Sequence, residues 1–206
     1  MTSPPSPRLT RSERRRRIEE AATELFARHG YAATTVEDIV RAAGVTKPML
    51  YRHHESKQEL CIALLERHRD ELVAAPLAVF APDAGDRRTQ LRAMVEAWLE
   101  HARRHPNATR LLFTPISGDP EVERTQRELY ARQRATQVAL LREFAPGLDE
   151  AEAEPMGEIV RASLAAVALW WLEHPEVPRE LLVQVLVRLV EGLIEIPSQS
   201  AESRQG

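Results

Sequence analysis

The sequence has very little cysteine: Cys61 is the single one among 206 residues. An intrachain disulfide is therefore excluded, and this composition is typical of a reducing, cytoplasmic compartment. Long apolar runs are also missing, since stretches such as residues 162–172 are well short of the ~20 residues that a membrane-spanning helix needs. No apolar stretch follows the arginines near the N-terminus. We therefore expect no signal peptide and no association with a membrane.

Features of enzymes are scarce as well. The eight glycines include no two that are close enough for a phosphate-cradling loop, and no motif pairs a nucleophile with a base. His101 and His105 are four residues apart, but no third metal ligand of a suitable type is nearby. We therefore expect no catalytic residue, no metal site and no cofactor, and the chain is not predicted to be an enzyme.

Strand alternation bounded by hairpin turns is absent, and no internal repeat is present. Apolar residues recur instead at helical spacing between glycine and proline stops. Thr34 with Glu37, and Ser56 with Glu59, match capping boxes at two helix starts. The sequence thus predicts an all-α protein of about nine helices, at approximately 12–29, 34–43, 46–53, 56–75, 86–104, 106–115, 120–144, 150–174 and 178–196. The proline-rich residues 1–9 are expected to form a disordered tail, and residues 197–206 a frayed one.

The net charge of −3 argues at first against nucleic acid, but the charges are segregated. Residues 1–57 contain eleven lysines and arginines against seven acidic residues, a net charge of +4. The remaining residues, 58–206, carry seventeen against twenty-four, a net charge of −7. The basic N-terminal part is therefore the candidate for contact with nucleic acid.

Two short predicted helices in this basic part are joined by Ala43-Gly44-Val45-Thr46, which leaves room only for a sharp turn. That spacing is typical of a helix-turn-helix. Residues 14–65 resemble the N-terminal domain of the TetR/AcrR family of transcriptional regulators. The segments that carry the resemblance are Gly30-Tyr31, Thr34-Thr35-Val36, Asp38-Ile39-Val40, Ala42 to Lys47, Leu50-Tyr51 and Ser56 to Leu60.

The resemblance implies a DNA-binding domain at residues 10–57, whose helix from about Lys47 to His53 enters the major groove of a double-stranded DNA operator. It places one set of side chains near phosphates: Thr34, Thr35, Tyr51, His53 and Lys57. It places another near base edges: Thr46, Lys47 and Pro48. This agrees with recognition helices in general, which present their N-terminal residues to the bases.

Three points in this domain stay open or depart from the family pattern. Tyr51 can either donate to phosphate or pack on a thymine methyl group. The arginines 14–17 are either the solvated start of a helix or an arm that reaches DNA. His54 stands where the family usually has a packed phenylalanine, and we expect it to fill that site as a neutral, packed ring.

The last two predicted helices are more apolar than a single packing stripe requires. They can be buried within one chain, but terminal helices of a small bundle are rarely central. We therefore expect them to pair with their copies about a twofold axis, as the resemblance also implies. A twofold homodimer separates two recognition helices by about one turn of DNA or somewhat more, which predicts a palindromic operator.

Residues 58–196 are then predicted to form a domain for effector binding and dimerisation, which the helix at 56–75 connects to the DNA-binding domain. A cavity for a small molecule is expected near seven residues of its middle part: Met94, Trp98, Phe113, Tyr130, Gln133, Gln137 and Trp170. Polar amides on an apolar face suit a ligand site, although an edge of a helix in contact with solvent also explains them. The aromatic residues can equally be plain core.

The sequence therefore predicts a one-component regulator, most simply a repressor, that binds a palindromic operator as a dimer and is released by a small-molecule effector. The alternative is a helical DNA-binding protein without ligand control.

Overall fold

The computed structural model describes residues 10–80 and 86–194. Within these ranges the chain forms nine α-helices and no strand, which confirms the all-α prediction. The helices are α1 Arg11–His29, α2 Val36–Ala43, α3 Lys47–Tyr51, α4 Lys57–Leu77, α5 Arg87–Arg104, α6 Pro106–Phe113, α7 Pro120–Phe144, α8 Glu150–Glu173 and α9 Arg179–Ile194. None of these helices is both long enough and apolar enough to cross a membrane. The predicted tails, 1–9 and 197–206, lie outside the described residues.

The helix starts differ in detail from the predicted capping boxes. The box at α2 is formed by Thr35 and Asp38, so its prediction at Thr34 and Glu37 is wrong by one residue. The reason is tertiary: the Thr34 hydroxyl is buried and donates to the carbonyl oxygen of Gly30 at 2.8 Å. Ser56 caps α4 by accepting from the Glu59 N–H, but the Glu59 carboxylate lies 2.9 Å from His54 Nδ1, so the reciprocal half of the predicted box is not formed.

Helices α1 to α3 close over the first turns of α4 and form a small apolar core. Ile18, Ile39, Leu50 and Leu60, one from each helix, are fully buried. Burying such a side chain contributes about 1.5–3 kcal/mol relative to leaving it in water. Because Leu50 is the buried anchor of the short α3, it fixes which face of that helix points outwards.

Helices α5 to α9 pack around the second half of α4 and form the larger part of the molecule. Helices α7 and α8 approach closely at Gly157, where an added Cβ would lie 2.5 Å from Val138 Cγ2. With 21 residues, α4 is about 31 Å long, so one rigid helix belongs to both parts.

Candidate nucleic-acid interface and ligand cavity

The exposed face of α3 is composed of the residues predicted to meet base edges. Thr46, Lys47 and Pro48 are all exposed, and Tyr51 is 49% exposed one turn later. Gly44, in the left-handed conformation with φ +65°, makes the turn that brings α3 across α2. Thr46 makes no side-chain capping bond, so its hydroxyl is available to a ligand of this face.

Lys47 already has a partner within the chain. Its ammonium group forms an ion pair with the carboxylate of Glu37 on α2. The hydrogen bond from Lys47 lowers the pKa of Glu37, and both side chains are about half exposed. Water screens such a surface pair, so it opens at little cost when a more highly charged partner such as DNA approaches.

The residues predicted to lie near phosphates fall into two groups. Thr35 is exposed as the cap of α2, and Tyr51 and His53 also reach the surface. Thr34 and Lys57 are instead used within the chain. The Lys57 ammonium donates to the carbonyl oxygens of Tyr31 and Thr34 at 2.9 and 3.0 Å and lies 4.0 Å from the centre of the Tyr31 ring. These two side chains hold the turn between α1 and α2, and their placement near phosphates stays a prediction.

Arg52 is a basic residue of this face that sequence reasoning missed. It lines an open groove between α3 and the start of α1, together with Arg11, Arg14, Met49 and His53. The available signal was its spacing, since it follows Pro48 by one helical turn and ends α3. Burial lowers the pKa of His53, and the charge of Arg11 lowers it further. The groove thus combines three arginines with a neutral imidazole, a composition that suits phosphate.

A buried carboxylate lies behind this groove. Glu19 is 6% exposed and accepts from Arg15 Nε at 2.7 Å and from Arg67 of α4. His54 is packed as expected, at 3% exposure, with Nε2 3.6 Å from Glu19 Oε1 and Nδ1 2.9 Å from Glu59 Oε2. Burial raises the pKa of Glu19, but His54 and the two arginines outweigh it and hold the pKa at about 2.

This network predicts that the N-terminal part, helices α1 to α4, is sensitive to acid. The pKa of Glu19 is lower in the folded chain than its ordinary 4.5. The contribution of ionised Glu19 to the free energy of unfolding is therefore complete above about pH 4.5, and it is lost as the pH falls towards 2. The loss is on the order of 3 kcal/mol. Urea unfolding between pH 2 and 7 should show this slope in the wild type and a shallower one in Glu19→Gln; parallel pH profiles would contradict the assignment.

Two adjoining cavities lie within the larger part of the molecule. The first, the apolar cavity, has a volume of about 60 Å³ and is lined by side chains of α4, α5, α7, α8 and α9. The second, the mixed cavity, measures about 30 Å³ and lies between α4, α5, α6, α7 and α8. Both are far smaller than the ~300–1,000 Å³ of typical ligand pockets. A ligand therefore has to displace side chains in order to enter.

The structure brings five of the seven predicted cavity residues together. Met94, Trp98 and Gln137 line the apolar cavity, and Phe113 and Gln133 line the mixed cavity together with Trp98 and Gln137. The indole of Trp98 lies 6.3 Å from the Phe113 ring, centre to centre.

Tyr130 and Trp170 are placed elsewhere. The Tyr130 hydroxyl donates to the carbonyl oxygen of Leu112 at 2.9 Å, and Tyr130 lines neither cavity. Trp170 is 44% exposed, and its ring stacks on His174 at 4.3 Å. Its neighbour Trp171 takes the buried position and donates to the carbonyl oxygen of Val177. Trp170 thus lines neither cavity, contrary to the expectation, because it lies on a different face of α8 from the buried Trp171.

The outer side of α8 and α9 is unusually apolar. Between Ile159 and Trp170 the exposed residues of α8 are Ile159, Ala162, Ala166 and Trp170, none of which is charged. On α9, Leu181 and Val185 are each about half exposed, and the exposed Arg188 follows on the same line. Exposed apolar faces of this kind mark contact sites between proteins.

The N-terminus of α7 connects the larger part of the molecule to the DNA-binding helices. Asp119, which caps α7, accepts from the Tyr31 hydroxyl at 3.0 Å and from Gln58 Nε2 at 2.9 Å. Beside it, the backbone of Gly118 has φ +98°, and a Cβ there would lie 2.9 Å from the Cβ of Ala32. We call this contact the α7 latch. It joins the α1–α2 turn directly to the helix that carries Gln133 and Gln137.

Comparison with known proteins agrees with this architecture. The model of the family described as bacterial regulatory proteins, tetR family, matches residues 18–64, and the model described as tetracyclin repressor-like, C-terminal domain, matches residues 88–193. The chain is 42% identical over 106 residues to the HTH-type transcriptional activator FasR of Mycolicibacterium smegmatis, a match that covers 52% of this chain and 48% of that protein. The chain thus spans about half the length of this curated relative.

Other relatives match over more of their length. The HTH-type transcriptional repressor SCO4008 of Streptomyces coelicolor is 29% identical over 170 residues, which are 81% of this chain and 82% of that protein. The crystal structure of a TetR-like transcriptional regulator from Rhodococcus sp. RHA1 aligns with a TM-score of 0.74 over 89% of this chain and 96% of that one, at 23% identity, which shows a common fold. Since the C-terminal family model alone covers more than half of the sequence, the chain belongs to the TetR family of bacterial regulatory proteins.

Proposed function

We propose that the protein is a ligand-responsive transcriptional regulator that binds a palindromic operator as a homodimer. The observation that carries the proposal is the face of α3, where Leu50 anchors the helix from below and Thr46, Lys47 and Tyr51 stand exposed above it. An α-helix fits the major groove of DNA, and its N-terminal side chains reach the base edges. The arginines of the adjoining groove suit the flanking phosphates.

Dimerisation through α8 and α9 is supported by the exposed apolar line on α8. Two copies joined there about a twofold axis present two α3 helices to one side of a DNA duplex. Half-sites of inverted sequence, separated by about one helical turn or somewhat more, match that symmetry.

Ligand control is supported by the helices that line the cavities, because two of them, α4 and α7, also contact the N-terminal part. Pro76, in the last turn of α4, lines both cavities, and α4 begins inside the DNA-binding part. Gln133 and Gln137 lie on α7, whose first residue is held by the α7 latch. A ligand that enlarges the cavities therefore pushes on two helices that contact the N-terminal part, α4 through its first turns and α7 through the α7 latch. A coupling of about 1–3 kcal/mol is enough to change operator affinity 5- to 150-fold.

The proposal is tested in two steps. Genomic fragments bound by the purified protein are first recovered and sequenced, and the bound operator is then titrated by fluorescence anisotropy with a small-molecule library. We expect the bound fragments to share a palindromic sequence, and at least one compound to release the protein from it. Leu164→Phe adds volume at a residue that lines both cavities. This variant should still bind the operator, but the compound should no longer release it. Sequence-independent binding would reject the regulator, and release that persists in Leu164→Phe would reject the cavity as the effector site.

The α7 latch gives a prediction of its own. Tyr31→Phe removes the hydrogen bond to Asp119 and leaves the ring in place, so the link from α7 to the α1–α2 turn is weakened. Hydrogen bonds to charged groups are worth about 1.5–3 kcal/mol. We expect the ratio of operator affinities without and with the recovered effector to fall at least about threefold. Tyr130→Phe, which removes a hydroxyl bond to Leu112 away from the latch, is the matched control; equal responses in the two variants would exclude this route.

A further inference from the structure

Gln133 is a buried amide whose side-chain oxygen has no partner in the part of the chain that the structure describes. It is 6% exposed and lines the mixed cavity. Its Oε1 is buried and has no hydrogen-bond partner within residues 10–80 and 86–194. Buried polar side-chain atoms nearly always have a partner, and each exception calls for an explanation.

Gln126, two turns earlier on α7, shows what a structural amide looks like in the same helix. It is 5% exposed, and its side chain is fully used. Its Oε1 accepts from the N–H of Ile116 at 3.0 Å, and its Nε2 donates to the carbonyl oxygens of Leu112 and Thr114 at 3.2 and 2.9 Å. Gln126 thus holds the segment between α6 and α7, whereas Gln133 holds no part of the described chain.

The charges around the mixed cavity are compensated. Arg161 is the one charged side chain among the described residues that line the two cavities. Its guanidinium is paired with Glu158, with Nε 2.8 Å from Oε2, and lies 4.9 Å from the centre of the Tyr130 ring. A carboxylate or an ammonium group bound there would be buried without a free counter-charge, which is costly. An uncharged group avoids that cost.

The space beyond Gln133 is apolar. The mixed and apolar cavities share Trp98, Leu140 and Leu164, so a ligand that starts at Gln133 continues past these side chains. We propose that the two cavities together bind an uncharged ligand with an apolar body and one terminal group that both donates and accepts hydrogen bonds, such as a primary amide or an alcohol, and that Gln133 pairs with that group. This inference rests on the proposed function in taking the cavities as the effector site.

Direct binding of four matched probes tests the ligand class. Octanamide, octan-1-ol, octanoate and octylammonium share an apolar body and differ in the terminal group. They are titrated calorimetrically into the full chain at pH 7 without DNA. We expect the amide and the alcohol to bind at least about tenfold more tightly than either ion. Gln133→Leu should weaken octanamide by about 3- to 10-fold, the value of one or two hydrogen bonds, and so remove most of the preference.

Thermal melting separates a ligand-binding role of Gln133 from a structural one. Because Gln133 has no partner in the described chain, Gln133→Leu should leave the Tm of the free protein unchanged or raise it. Gln126→Leu is the matched control; it removes three hydrogen bonds to the backbone, of which the Leu112 carbonyl oxygen alone keeps a second donor, the Tyr130 hydroxyl, and should lower the Tm by about 4 °C or more. A fall in Gln133→Leu as large as that in Gln126→Leu would show a structural role and overturn the proposal.

The remaining outcomes are also decisive. Tighter binding of an ion, equal binding of all four probes, as expected if a buried water alone occupies the site, or binding of none would each reject the proposed ligand class. None of these results depends on DNA. An ionic effector that releases the operator would therefore leave the proposed function standing and reject this inference alone.

Discussion

Val185→Glu is expected to make the protein monomeric at micromolar concentration and to weaken operator binding by at least about 100-fold. Val185 is 49% exposed in the single chain, so a glutamate there does not disturb the core of the subunit. In a dimer formed through α8 and α9 the same position is buried, and a carboxylate from each copy is taken out of water there, which is costly. Losing the second DNA-binding domain removes an avidity of roughly 10²–10⁴.

A matched variant separates this effect from a general effect of charge. Val79→Glu introduces the same residue at another exposed apolar position, 44% exposed and distant in sequence from α8 and α9. It should remain dimeric and bind the operator normally. Sedimentation velocity reports the oligomeric state, and anisotropy reports the affinity. A Val185→Glu protein that stays dimeric would show that α9 is not part of the interface.

Lys47→Ala and Glu37→Gln are expected to change operator affinity in opposite directions. The Lys47 ammonium is paired with Glu37 in the free protein and has to leave it in order to meet DNA. Removing the lysine from both subunits should weaken binding by roughly 30-fold and reduce the slope of log affinity against log salt by about 2, one per subunit.

Removing the competing carboxylate has the reverse effect. Glu37→Gln keeps the shape of the side chain but frees Lys47 and takes one negative charge per subunit away from the DNA. Affinity should therefore rise severalfold, most clearly at low salt, where surface electrostatics are strongest. Titrations at three salt concentrations measure both quantities. Weaker binding by Glu37→Gln would mean that the ion pair positions Lys47 for DNA rather than withholding it.

Helix positions were predictable from the sequence because glycine and proline mark their ends. Asp119-Pro120 starts α7, and Gly44 ends α2, as the sequence predicts. Single-residue details depend on tertiary contacts that local patterns do not contain. Thr34 and Thr35 are equally good caps by sequence, and the carbonyl oxygen of Gly30 decides between them by binding the Thr34 hydroxyl.

For the candidate sites, too, the sequence predicted the residues of the α3 face but not the individual side-chain contacts. Thr46, Lys47 and Tyr51 could be named in advance from the resemblance to the TetR/AcrR family, and all three are exposed on α3 in the structure. The role of Lys57 could not, because its acceptors lie 23 and 26 residues away in the chain. Likewise, adjacent tryptophans point to different sides of α8, and only packing shows that Trp171 is the buried one.

Gln126 and Gln133, two of the three glutamines on α7, show that a sequence pattern does not reveal what a side chain contacts. In the sequence both lie on one apolar stripe, where either solvent or a ligand can explain them. In the structure both are buried, and their surroundings differ completely. Backbone groups of the segment between α6 and α7 satisfy Gln126, and this segment has no periodic pattern from which its path can be inferred.

The most direct test of a twofold dimer reading one operator is the affinity of the wild-type protein for that operator with five base pairs inserted at its centre. The insertion keeps both half-sites intact and turns one of them by about half a helical turn, to the opposite face of the duplex. We predict a loss of at least about 100-fold, down to the affinity for a single half-site. An unchanged affinity would contradict the account, because the two α3 helices would then not be held in a fixed twofold arrangement.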